Sequence, residues 1–574
     1  MSEGASSQTE PDSRVGAVPR PWREVVPPAA RARDAVLIGG LAALAFLVGC
    51  LAWPLFPGRD AQTYLIYYLE MGRANPVFPA LMTFRTPGAP LFFGPALTAG
   101  QPMIAEAMLG AAFVIAVLSV YLTGCFWSRR AGLGAALVLL LYPAYNSLYH
   151  QISSDGLFAA AFPVWILLLC AAIHAPMTWK FAGLGFFAFV LTMIRPSSAV
   201  LLLLAALIVF VQPAPFIKRL RHSGALAVTG GALLFGWAGY NQVRYDDFTI
   251  SRMAPINVPF FRLFMMDRLV RPENGPASRA LANAIALDVL PREPYRSYGV
   301  TLDYFLKSGG RYMLSDIAPM SDRVWGWDSD YEMISRASLE AIRAHPLPYA
   351  KGVVQSTLET LTDNSYAPVA GWPPEPRTIR CELACAGKGT VLRNGKPVPA
   401  PYYPDETISA GHAYWLQSTP DSSISTDWSN LAEPTLRFKS ATQEQAFAAL
   451  SANLASALRN IPPRKPVARL MKVANVLSEL LPSMWIWLLF GLAGFIWNVR
   501  FGRRLLLALP AMAVAFLFIN SLGLPPSAAY RLPFDPIFIL FGVTGLAGVR
   551  APPRAVETAH QARGSASAGT PDVQ

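Results

Sequence analysis

The chain has 574 residues, 53% of them hydrophobic and only 15% charged, with a formal net charge of +12 and a mean hydropathy of +0.34. One soluble core cannot use that much apolar surface, so the sequence reads as an integral membrane protein. The basic residues fall in short clusters between apolar runs, which is how membrane orientation is encoded, and this excludes nucleic acid as the partner.

Residues 1–34, rich in Ser, Pro and Arg, predict a disordered cytoplasmic tail. Runs of about 17–25 apolar residues then predict ten membrane spans, at roughly 35–56, 103–127, 131–148, 156–175, 178–194, 197–213, 223–240, 483–499, 503–520 and 533–549. The first run is too long for a signal-peptide core and no small-x-small cleavage site follows it, so it is expected to remain as an anchor. If the spans alternate, every basic cluster lies on one side: Arg14 to Arg33, Arg129 and Arg130, Lys180, Lys218 to Arg221, Arg500 to Arg504, and Arg550 with Arg554. Both termini are therefore expected in the cytoplasm of a multi-pass plasma (inner) membrane protein.

The expected units are an N-terminal transmembrane module (35–240), an extracytoplasmic, periplasmic-side domain (241–480), a C-terminal transmembrane module (481–550) and a second disordered cytoplasmic tail (551–574). The fold class is all-α, polytopic, with about ten transmembrane helices and a large outer-face loop domain of mixed structure. Within that domain, helical patterns run from Asp330 to Thr362, interrupted at His345-Pro346, and from Thr442 to Arg459. Ala367 to Asp405, dense in Pro and Gly, reads as an extended loop. Cys50, Cys125 and Cys170 lie within spans as packing residues, whereas Cys381 and Cys385 form an isolated C-x3-C pair in the outer domain, where a disulfide is expected ahead of a metal pair.

Chemistry should gather where the outer ends of the spans meet. Asp60 opens the first outer loop just beyond the first span, where an acid gains nothing from the bilayer. Tyr64, Tyr67 and Tyr68 follow on what reads as a short helix lying along the membrane surface, and Arg85 stands in a backbone stiffened by Pro87 and Pro90. The second outer loop carries His150, read as a surface histidine, and Asp155, which is placed to cap the fourth span or to serve chemistry. Arg195-Pro196 turns between the fifth and sixth spans, and Tyr530-Arg531 leads into the last. An isolated Arg at such a position is more often an interfacial anchor that snorkels to head groups, and Arg195 and Arg531 could be of that kind.

In order and sidedness these pieces resemble the GT-C superfamily of membrane glycosyltransferases, which includes protein O-mannosyltransferases and the transferases that add aminoarabinose or galacturonic acid to lipid A. The resemblance rests on Asp60 with Tyr64, Arg85 with Pro87, Ser-Ser-Asp155-Gly-Leu, Arg195-Pro196, Tyr240 to Thr249, Ala341 to Tyr349, and Tyr530-Arg531-x-Pro533. It implies sugar transfer from a polyprenyl-phosphate donor to a glycolipid, polysaccharide or protein on the outer face, with inversion at the anomeric carbon. Asp60 would be the catalytic base and Asp155 a second catalytic acid. Tyr64, Arg85, Arg195, Tyr530 and Arg531 would bind substrate, with Arg85 and Arg531 on the donor phosphate. Arg59 and Ala61 flank Asp60 where many relatives carry an Asp-Glu pair, which speaks against a metal held by adjacent carboxylates, and no cofactor or metal is expected. The competing class is a non-catalytic carrier of lipid-linked glycans or a ligand-binding sensor. A carrier would show ionisable residues in mid-span and a repeat relating its halves, and the sequence displays neither.

Overall fold

The structure, a computed structural model, describes residues 27–547 apart from 253–257, 309–315, 327–330, 363–389, 400–407, 418–423, 462–466, 498–503 and a few isolated positions. Helix α1 (Ala32–Ala52) is 21 residues long, about 31 Å at 1.5 Å per residue, the thickness of a bilayer's hydrocarbon core. Its outer flank keeps Val36, Leu37, Leu44, Leu47 and Leu51 exposed, an arrangement that suits lipid and is unfavourable in water. After strand β1 (Phe56–Pro57) come the short helices α2 (Ala61–Glu70), α3 (Pro79–Phe84) and α4 (Gly88–Thr98), then α5 (Pro102–Cys125). Helices α6 (Arg129–Leu140) and α7 (Pro143–Ser147), strand β2 (Gln151–Ile152), and helices α8 (Ser154–His174) and α9 (Thr178–Ile194) complete this part.

Among the described residues, four helices are long and apolar enough to cross a membrane: α1, α5, α8 and Arg504–Ser521. The stretch Arg129–Leu140 with Pro143–His150 qualifies only as a pair bent by 66°. Pro143 accounts for the break, because it lacks the N–H that would continue the ladder and restricts the residue before it. All ten expected stretches contain helix, but Thr178–Ile194, Pro196–Val211 and Met484–Ile496 are shorter, and the last helix is Asp535–Leu546. Phe216–Tyr245 is long, with a Gly-rich middle and a basic beginning, and is not among the four. Of the N-terminal stretch read as a tail, Ala32–Asp34 already form the first turn of α1, while residues 1–26 and the C-terminal tail lie outside the described residues.

Helix α8 is the most enclosed of the four and packs against α5 and α9. Where α5 meets α6 the backbones are nearly touching: a Cβ on Gly132 would lie 2.5 Å from Tyr121 O. Small residues at such crossings are what lets apolar helices associate when water offers no drive between them. Asp34 and Arg129 pair at 2.6 and 2.8 Å near Tyr121, tying the start of α1 to the start of α6.

Residues 263–345 build a second core, with Leu281, Ile285, Val289, Phe305, Ile317, Met320, Ile334 and Ala341 at its centre and Trp428 and Leu431 closing it. Pro276–Ala284 packs on Glu332–Ala344, and Glu340 accepts hydrogen bonds from Ala277 N and Ser278 N at 3.0 and 2.7 Å, so an acid serves the helix N-terminus from outside the helix. The expected break at His345-Pro346 and the helix near 442–459 are both present, as Pro346–Thr362 and Ala441–Arg459. One expectation changes. Inside the stretch read as an extended loop, 390–393 and 396–399 pair antiparallel, flanking Asn394-Gly395, the commonest two-residue hairpin signal. Cys381 and Cys385 lie outside the described residues.

Candidate active site

Four loops that are distant in sequence converge. Strand β1 pairs in parallel with β2, Phe56 opposite Gln151 and Pro57 opposite Ile152, which sets the exit of α1 beside the entry to α8. The approach leaves no room for a side chain at Gly58, where a Cβ would lie 2.8 Å from Ile152 O. On the other flank a Cβ on Gly88 would lie 2.5 Å from Met193 O, so the Arg85-Thr-Pro-Gly turn abuts the end of α9 and Arg195.

Two arginine–carboxylate pairs meet at this junction. Arg85 Nη2 donates to Asp60 Oδ1 at 2.8 Å. Arg195 Nη1 lies 3.1 Å from Asp155 Oδ1 as an ionic contact without hydrogen-bond alignment. In both pairs the acid is the more accessible member: side-chain exposures are 33% for Asp60 against 14% for Arg85, and 30% for Asp155 against 12% for Arg195. The pairs are joined by Tyr64, whose hydroxyl donates to Ser154 Oγ at 3.0 Å. Arg85 lies over the rings of Tyr64 and Phe84 at 5.8 and 5.4 Å, and Arg195 over Phe158 and Tyr530 at 5.6 and 5.5 Å. These cation–π contacts hold both guanidinium planes in place.

The electrostatics follow from that geometry. Burial, then the Asp60 charge, push the Tyr64 phenol up to about 12, so it stays protonated and acts as a donor. For Arg85, burial works against the charge, but Asp60, Tyr64 and Asp155 outweigh it and hold its pKa above the usual arginine range.

Of the residues singled out in the sequence, Asp60, Tyr64, Arg85, Asp155, Arg195 and Tyr530 come together, and Arg531 does not. Its side chain turns away from Tyr530 and is fully buried, with Nε 2.8 Å and Nη2 3.2 Å from Asp535, Nη2 2.8 Å from Tyr142 Oη and Nη1 3.0 Å from Thr360 O. Its donors are engaged inside the fold rather than presented to a ligand. Asp155 does not cap α8. Ser153 holds the N-cap position, and Asp155 sits in the first turn with its carboxylate toward Arg195. Asp60 occupies the N-cap position of α2 yet makes no cap bond, since Arg85 takes its carboxylate. The tyrosines of the short helix α2 are turned into the fold: Tyr64 and Tyr67 are buried, and Tyr68 packs over Gly94.

His150 is not at the surface but fully buried, stacked on Phe46 at 4.7 Å. The 240–249 segment buttresses the first loop, with Arg244 donating to Arg73 O and Ala74 O. Arg252 N and Ser251 Oγ, just beyond it, bond Thr83 O and Phe84 O. In the 341–349 segment Tyr349 Oη donates to Leu522 O at 3.1 Å, which fastens the second core to the helix Arg504–Ser521. Sequence reasoning gives no role to Ser154, Phe84 or Phe158. The first stands inside a quoted motif, while the two phenylalanines carry no signal that separates them from ordinary core residues.

No family model matches the chain, and no curated protein matches it. Among solved structures the chain is similar to ArnT from Cupriavidus metallidurans bound to undecaprenyl phosphate, at 10% identity and a TM-score of 0.31, covering 95% of this chain and 82% of that one. It is also similar to the Archaeoglobus fulgidus oligosaccharyltransferase tethered with an acceptor peptide containing the NVT sequon, at 12% identity and a TM-score of 0.26, covering 87% of this chain and 60% of that one. Both likenesses are distant.

Proposed function

We propose that the chain is a membrane glycosyltransferase that moves a sugar from a polyprenyl-phosphate-linked donor to an acceptor, a glycolipid, polysaccharide or protein, at the outer face of the membrane. One observation carries this reading: two arginine–carboxylate pairs from four separate loops meet across the Tyr64–Ser154 hydrogen bond.

The acceptor hydroxyl attacks the anomeric carbon while its proton passes to the Asp60 carboxylate. The bond from that carbon to the phosphate oxygen breaks, and the lipid phosphate leaves with the electron pair. Departure needs its charge met by cations, and Arg85 and Arg195 supply them. A guanidinium has five donors in a fixed fork, so a contact to one carboxylate leaves geometry for a phosphate. Tyr64, held protonated, orients Ser154 and the Arg85 plane. Asp155 positions Arg195. A single displacement of this kind inverts the anomeric centre.

The reading is tested by transfer from a polyprenyl-phosphate-sugar donor with the purified chain in nanodiscs. Asp60→Asn keeps the shape and removes the basicity, and the rate should fall by roughly 10²–10⁴-fold, the range of a positioned general base, with donor binding retained. A well-folded Asp60→Asn protein that keeps most of its rate would defeat the assignment. A wild-type chain that binds donor and transfers nothing to any acceptor class would favour a sensor or carrier.

A further inference from the structure

A second cluster of ligating side chains lies beneath this site and takes no part in the proposed transfer. Cys50 stands in the last turn of α1, Glu106 in the second turn of α5, and His150 immediately before β2. One ligand atom from each, Sγ, a carboxylate oxygen and a ring nitrogen, lie within 4.8 Å of one another. Helices α1 and α5 run antiparallel, with Asp34 beside Tyr121 at one end and Cys50 beside Glu106 at the other.

His150 provides the independent observation. It is fully buried, and neither Nδ1 nor Nε2 has a hydrogen-bond partner. A neutral imidazole carries one donor and one acceptor, and leaving each buried and unmade costs about 1–3 kcal/mol. A core histidine kept only to stack on Phe46 would be better replaced by an aromatic residue. Glu106, only 4% exposed, sits in a helix apolar enough to span a membrane, where a carboxylate is costly and a bound divalent ion would offset its charge.

We propose that Cys50, Glu106 and His150 form a binding site for one zinc ion. A thiolate, a carboxylate and an imidazole are the donor types zinc takes, with three protein ligands leaving a fourth tetrahedral position for water. Ideal zinc bond lengths put such ligand atoms about 3.3–3.8 Å apart, so closing the cluster needs shifts of an ångström or less. The charges also balance: thiolate and carboxylate together cancel the divalent ion, giving a neutral site where net charge is costly. Bound zinc would fasten the end of α1 and the start of α5 to the segment leading through β2 into Ser154 and Asp155, and so act as a positioning element for the loops above it.

The experiment uses the full chain purified with an affinity tag free of histidine. Elemental analysis after incubation with zinc and removal of excess should give about one zinc per chain. X-ray absorption of the unmutated protein should show a first shell of one sulfur with nitrogen and oxygen; a shell lacking sulfur, or holding two or more, overturns the assignment. Cobalt in place of zinc should give a near-ultraviolet thiolate-to-metal band that survives Cys381→Ser/Cys385→Ser and disappears in Cys50→Ser. Zinc should be lost in His150→Gln and Cys50→Ser but kept in Cys170→Ser. No stoichiometric zinc in the wild-type chain, or zinc equally retained by both ligand variants, would show an adventitious ion only and end the proposal.

Discussion

Removing Arg531 should damage the fold rather than the donor site. Both members of the Arg531–Asp535 pair are fully buried, and the guanidinium also bonds Tyr142 Oη and Thr360 O, so it joins the helix Asp535–Leu546 to α7's entry and to the end of Pro346–Thr362. Arg531→Ala leaves the Asp535 carboxylate without its counter-charge and two further acceptors without a donor. Breaking a buried pair from one side costs about 3–5 kcal/mol, far more than the 0–1 kcal/mol of an exposed pair, because the surviving charge stays desolvated. Replacing both partners, Arg531→Met with Asp535→Leu, removes the stranded charge and should recover most of that loss. The assay is thermal unfolding of detergent-solubilised protein followed by tryptophan fluorescence, run beside donor KM on whatever remains folded. An Arg531→Ala protein as stable as wild type with donor KM alone raised would refute this reasoning and return Arg531 to the phosphate.

For the two arginines at the loop junction, Arg85→Lys and Arg195→Lys each keep a charge but lose the planar fork, so donor KM should rise on the order of 10-fold or more, as expected for a lost charge-assisted hydrogen bond of about 1.5–3 kcal/mol; unchanged donor affinity in both would remove them from the site. Gly58→Ala drives a Cβ to 2.8 Å from Ile152 O and should part β1 from β2, lowering the transfer rate, whereas Gly72→Ala, with nothing within 4 Å, should be silent; equal activity of the two would show that the strand contact does not set the site. Glu340 has its pKa depressed: burial opposes the charge, but the backbone N–H groups of Ser278 and Ala277 outweigh it. Its stabilisation is therefore present above the ordinary glutamate value of 4.5 and lost as pH falls below it. Glu340→Gln should cost about 1 kcal/mol at neutral pH, with the difference from wild type shrinking in acid. A difference that does not vary with pH would contradict the capping role.

What was legible in the sequence and what was not divide along a physical line. Apolar runs announce helices because each residue's burial is decided locally, and all ten stretches contain helix; the turn at Arg195-Pro196 was legible, whereas the break at Pro143 inside the third stretch was not. The hairpin at 390–399 was readable in Asn394-Gly395 but masked by the surrounding prolines and glycines. Asp60, Arg85, Asp155 and Arg195 could be picked as outer-loop charges, yet their pairing could not, because it depends on backbone approaches at Gly58 and Gly88, and these two do not stand out among the 42 glycines of the chain. Arg531 was misplaced for a related reason: adjacent residues on a helical turn point about 100° apart, so Tyr530 faces Arg195 while Arg531 faces Asp535. Asp60 also has a structural duty, because Arg85, largely buried, is paired with its carboxylate. Asp60→Asn retains an oxygen for the Arg85 hydrogen bond and should cost less stability than Asp60→Ala. That ordering of stability should hold even if both variants lose transfer equally, because the fold needs an acceptor at this position and the chemistry needs a base.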